Sequence, residues 1–143
     1  MSFNIALAYL PHTDLTGAGS TLGEQLSFSD ASSGLSEGPS AAQFGEHAII
    51  VDPTAMLLQA PPGNATIVGL FGTSDTYFLQ STTSKPRLLV YSEGEVVEDE
   101  GEPLEAEALL ERENSMEDGF LAIFQRVSGA GWEQLEALEW RRI

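Results

Sequence analysis

Arg87-Leu-Leu-Val-Tyr-Ser-Glu-Gly-Glu-Val-Val-Glu-Asp-Glu-Gly-Glu-Pro103 decides how the rest of the chain is read. Arg87 to Ser92 is rich in β-branched and aromatic residues and reads as a strand. Glu93-Gly94 turns it, since glycine takes the positive φ of a tight hairpin at low steric cost. A second strand returns through Val97, giving a hairpin over 86–97, and Glu98-Asp99-Glu100-Gly101-Glu102 then reads as an acidic tail leading away from it.

Upstream of the hairpin the pattern is strand-like. Phe3, Ile5, Leu7 and Tyr9 alternate with smaller residues, the period of two of a strand packed on one face, and Pro11 ends it. Ala48 to Val51 reads as a short buried strand. Asp52-Pro53 opens either a helical turn through Leu58 or a further strand, and Pro61-Pro62-Gly63-Asn64 breaks the chain. Thr66 to Phe71 and Thr76 to Thr82 complete, with the hairpin, an antiparallel meander of about four strands.

Residues 11–47 are hard to read. They hold 6 glycines and 7 serines, with isolated apolar residues, yet a structureless loop of that length is unusual inside a compact domain. Thr21 and Glu24 have the spacing of a helix cap, and Gln25 to Ser29 reads equally well as a strand.

Downstream the pattern is mainly helical over 103–137. A modest helix runs from Pro103 or Leu104 to Arg112, with Glu105, Glu107 and Glu111 on its outer side. Ser115 caps the clearest helix, along which Met116, Phe120, Ile123, Phe124 and Val127 recur at helical spacing until Gly129. Trp132 to Ala137 adds another turn or two, and Leu138 to Ile143 reads as a closing edge strand. The expected fold is one α+β domain over 1–143: a mainly antiparallel sheet of about five to seven strands, with C-terminal helices packed on one face.

Composition narrows the function. The 143 residues carry 22 acids against 6 basic residues, a net charge of −16, which argues against direct nucleic-acid binding and against anionic membrane surfaces, because both need Lys and Arg. With no cysteine there are no disulfides, thiolate metal sites or cysteine nucleophiles, and a cytoplasmic location is expected. Met1 to Leu10 lacks the basic start of a signal peptide, and no apolar run has the length of a membrane span.

Few residues suggest chemistry. Gly34-Leu35-Ser36-Glu37-Gly38 matches a nucleophile-elbow pattern, but Ser32-Ser33 before it and Pro39-Ser40 after it are not the strand and helix an elbow needs. Gly17 to Gly23 misses the spacing of a dinucleotide loop and lacks the lysine of a nucleotide one. His12, Asp14 and His47 together offer two imidazoles and a carboxylate, the set for a small hydrolase or a metal-dependent enzyme, though no short ligand pair positions them. No metal or other cofactor is expected.

The acidic segment stands out. Residues 93–118 hold twelve acids against the single Arg112, so most of the net charge sits there. One reading is a solvated surface; the other is an acidic face that steers a basic protein partner. The second makes the chain a non-enzymatic protein-interaction module of the inhibitor, antitoxin or immunity kind, binding through Glu95, Glu98, Asp99, Glu100, Glu102, Glu105 and Glu107. A third possibility is a structural or oligomer-forming subunit meeting its copies through Trp132 and Trp140.

Overall fold

The computed structural model describes residues 4–13, 15, 24–33, 38–54, 56–59 and 61–142. Nine strands run through them: β1 (Asn4–Leu10), β2 (Gln25–Leu26), β3 (Ser40–Phe44), β4 (His47–Asp52), β5 (Thr66–Phe71), β6 (Thr76–Ser81), β7 (Arg87–Ser92), β8 (Glu95–Gly101) and β9 (Trp140–Arg142). They form one sheet in the order β2-β9-β3-β4-β1-β5-β6-β7-β8, and every pairing is antiparallel. The α+β expectation therefore stands, but five to seven strands was too few. β2 and β3 lie in the glycine- and serine-rich stretch: β2 falls within Gln25 to Ser29, where a strand is one of two readings, and β3, with its small residues, has no strand pattern to announce it.

Two further expectations are corrected. β9 is not an edge strand: it lies between β2 and β3 and pairs with both. The hairpin does not stop at Val97. β8 continues to Gly101, so the supposed acidic tail is itself a strand, with Glu98, Asp99 and Glu100 registered against Val90, Leu89 and Leu88. Val97 is the extra residue of a bulge, since Tyr91 pairs with Val96 and Val90 with Glu98.

Among the described residues four α-helices complete the fold: α1 (Phe28–Ala31), α2 (Met56–Gln59), α3 (Met116–Ser128) and α4 (Trp132–Ala137), with the longer 3-10 helix at Glu105–Glu111 and a single 3-10 turn at Gly72–Ser74. α3 forms as its sequence dictates. Ser115 Oγ accepts from the Asp118 N–H at 3.1 Å, acidic residues occupy the positive end, and Gly129 closes it in the left-handed region. Its Phe120, Ile123 and Phe124 are fully buried on β1, β5 and β6. Each contributes about 1.5–3 kcal/mol of apolar burial, which makes α3 the main cover of that face. Tyr77 stacks on Phe120, and Tyr91 meets the same ring edge-on.

The segment after the acidic strand is a 3-10 helix rather than an α-helix, and the Thr21 cap lies outside the described residues. Ser27 instead caps α1, accepting from the Asp30 N–H, so Gln25–Leu26 is strand and Phe28–Ala31 is helix. Asp52 accepts from the Thr54 N–H at 2.8 Å and so begins the turn that leads into α2. Leu58 of α2 packs on the second face of the sheet with Ala6, Ala8 and Ile67. The small residues of β1, expected to face outward, are therefore buried as well.

Trp140 is wholly buried, its indole N–H donating to the Leu135 carbonyl at 2.8 Å, and Phe28 lies between it and Trp132. It offers no surface to a second copy, which removes half of the proposed tryptophan contact.

Candidate functional site

β8 is the last strand of the sheet, and all seven of its residues are exposed. Its side chains divide by register. Arg87 and Leu89 face α3 and the 3-10 helix, and Asp99 opposite Leu89 faces the same way. Leu88, Val90 and Ser92 face the other side, and with them Glu100, Glu98 and Glu95. The register thus sets three carboxylates in a row along one side of the edge. On that side α2 packs mainly on β1 and β5, the latter three strands from β8.

The seven acids of the expected docking face are not equivalent. Arg87 is only 3% exposed and bonds two of them, Glu107 largely buried beside it and Asp99 out on the exposed strand. Arg87 Nε donates to Glu107 Oε2 at 2.9 Å and its Nη2 to Glu107 Oε1 at 2.7 Å, the two-pronged geometry a guanidinium offers a carboxylate. Nη1 donates to Asp99 Oδ1 and also to the Glu100 and Gly101 carbonyls, each at 3.2 Å. The hydrogen bond to Glu107 is the chief reason that Arg87 is held above the ordinary arginine pKa; burial opposes it, and the bond to Asp99 adds to it.

Glu107 also accepts from the Leu104 N–H at 2.6 Å, fixing the start of the 3-10 helix. The expectation that Glu107 lies on the outer side is corrected: its side chain is 10% exposed and turned onto Arg87. Glu105 meets Arg126 at 3.0 Å on the open surface, a pair worth little in water. Among the described residues Glu95, Glu98, Glu100 and Glu102 form no ion pair. Those four remain as the free part of the acidic face.

No protein-family model, no curated protein and no solved structure matches the chain. The reading of its surface therefore rests on its own residues.

The two histidines do meet, although 35 positions separate them in the chain. His12 sits at φ 51°, and its backbone N–H donates to His47 Nδ1 at 3.0 Å. The rings stand edge to face at 5.3 Å, and the Tyr9 ring packs on His47 at the same distance. Gln43 ties the local chain together, accepting from the Leu15 N–H at 2.7 Å and donating to the carbonyls of Thr13, Gly45 and His47. Sequence reasoning missed that glutamine, because its partners are backbone groups. Asp14, the third member of the expected triad, lies outside the described residues, as do Gly17 to Gly23 and Gly34 to Glu37. Among the described residues no group of three or more His, Asp and Glu is placed to hold a metal ion.

A hollow of about 400 Å³, lined by Leu15, Gln43, Leu138, Glu139 and Arg141 among others, opens beside β3 and β9, far along the sheet from β8. No helix among the described residues is long and apolar enough to cross a membrane.

Proposed function

We propose that the chain is a protein-interaction module without chemistry of its own, which docks a basic protein through the acidic edge of its sheet in the manner of an inhibitor, antitoxin or immunity protein. The observation that carries this reading is the division of labour among the acids. Asp99, Glu105 and Glu107 are bonded to arginines, whereas Glu95, Glu98, Glu100 and Glu102 are exposed without an ion pair, close together on one strand and its exit. An array of like charge raises the rate at which an oppositely charged partner arrives and turns away acidic competitors. A cytoplasmic site of action fits a chain without cysteine.

The test is capture of the native partner from cell lysate on the immobilised chain, identified by mass spectrometry, beside a variant carrying Glu95→Lys, Glu98→Lys and Glu100→Lys. A basic protein retained by the wild type, lost from the variant and released by salt supports the reading. Equal capture by both overturns it.

The contact between His12 and His47 favours a second reading, a small metal-dependent or hydrolytic enzyme. Calorimetric titration with zinc decides it: binding lost in His47→Phe keeps the idea, and no heat of binding removes it.

A further inference from the structure

We propose that the partner engages this edge as an added β-strand: an extended basic segment that hydrogen-bonds along the outer side of β8. The inference rests on the acidic-face reading and adds the mode of binding and the pattern the partner must carry.

The first observation is the edge itself. β8 is seven residues long, about 23 Å at the usual rise per residue, and among the described residues it ends the sheet with no strand beyond it. A terminal strand leaves a row of backbone N–H and C=O groups turned outward, and strand addition uses such a row. Exposed Val96 and Val97, at 47% and 56%, are the most exposed large apolar residues among those described, and both lie on this strand.

The second observation is the charge pattern, which selects the occupant. Another copy of the chain would bring Glu and Asp opposite Glu and Asp, and like charges directly across a strand pair repel. The edge is guarded against itself. The same carboxylates attract Lys or Arg at the facing positions.

The bulge at Val97 sets the spacing. Glu100, Glu98 and Glu95 lie opposite Leu88, Val90 and Ser92, which are two residues apart in β7. A regular strand laid on the outer side meets the three carboxylates at the same interval of two. Its basic residues therefore fall at i, i+2 and i+4, all on one face. The residues between them face the side of Val96 and Asp99. An apolar residue suits Val96, and Asp99 is already bonded to Arg87.

The probe is a fluorescent peptide of alternating Lys and Val, compared with one of the same composition in which the lysines are contiguous. Two N-methylated analogues of the alternating peptide each block one set of alternate amides. Strand addition uses one set and leaves the other in water. It predicts at least tenfold weaker binding for one analogue, near-unchanged binding for the other, and weaker binding of the contiguous peptide. If both analogues bind like the parent while Glu98→Lys with Glu100→Lys abolishes binding, strand addition is overturned and the acidic-face reading stands. Binding that is unaffected by those lysine substitutions overturns both. If the alternating peptide does not bind, strand addition is overturned, and capture of the native partner then judges the acidic face by itself.

Discussion

Arg87 and Glu107 face each other through two bonds, Nε to Oε2 at 2.9 Å and Nη2 to Oε1 at 2.7 Å, and so fasten the edge hairpin to the segment that leaves it. Removing one member leaves the other charge poorly solvated. Arg87→Met is expected to destabilise the fold by about 3–5 kcal/mol, the usual cost of breaking a buried pair from one side. Replacing both, Arg87→Met with Glu107→Leu, recovers most of the loss because no charge is stranded. Urea unfolding of the two variants checks both numbers.

Gly101 is needed where it stands. Its φ is +87°, and a side-chain Cβ built there overlaps the Pro86 carbonyl. Gly94 has φ +82° but open space around the same position. Gly94→Ala carries only the left-handed backbone penalty, about 1–2 kcal/mol. Gly101→Ala must also push Pro86 away from the strand. The thermal midpoint of the second variant is expected to fall clearly below that of the first.

Tyr77 predicts an alkaline limit. Burial, then Glu117 and Asp75, raise its phenol above the ordinary 10.0. Above that ordinary value the unfolded chain loses the proton while the folded chain keeps it. Stability from this group is therefore complete below pH 10.0 and falls as pH rises towards the folded value. Tyr77→Phe is expected to flatten the loss of stability that urea unfolding measures as pH rises above 10.0.

Ser115 and Phe120 separate local from global effects in α3. Ser115→Ala removes the acceptor for the Asp118 N–H and is expected to cost about 1 kcal/mol. Phe120→Ala opens a cavity beneath Tyr77 and Tyr91 and is expected to cost about 3–5 kcal/mol. Chemical denaturation ranks the two.

The sequence made α3 legible because cap, apolar period and terminal glycine agree over thirteen residues. The meander from Thr66 to Val97 was legible for the same reason, alternation bounded by turns. β2 was legible only as one of two readings, since the alternation of Gln25 to Ser29 runs past the two residues that are strand into α1, and β3 was not, because Ser-Ala-Ala-Gln-Phe carries small residues where strand patterning expects bulky ones. Glu98 to Gly101 was misread because charge suggests solvent, whereas an edge strand needs only its backbone bonds on one side. Of the acidic face, the surface acids were found by counting. Arg87 and its capture of Asp99 and Glu107 had no local signal, since those partners are 12 and 20 residues away.

β9 consists of residues near the end of the sequence, and it is the strand on which β2 pairs. During synthesis, Gln25 and Leu26 therefore emerge more than a hundred residues before their neighbours Arg141 and Trp140 exist. Until then this end of the sheet stands open, and Phe28 lacks the indole of Trp140 against which it packs. Its closure is the most non-local step in the fold, and such pairings form slowly because a long loop must close first. For that interval a nascent chain depends on whatever shields β2 and β3, the strands that wait for β9, so the timing of its manufacture, as well as its final stability, bears on how much of it survives.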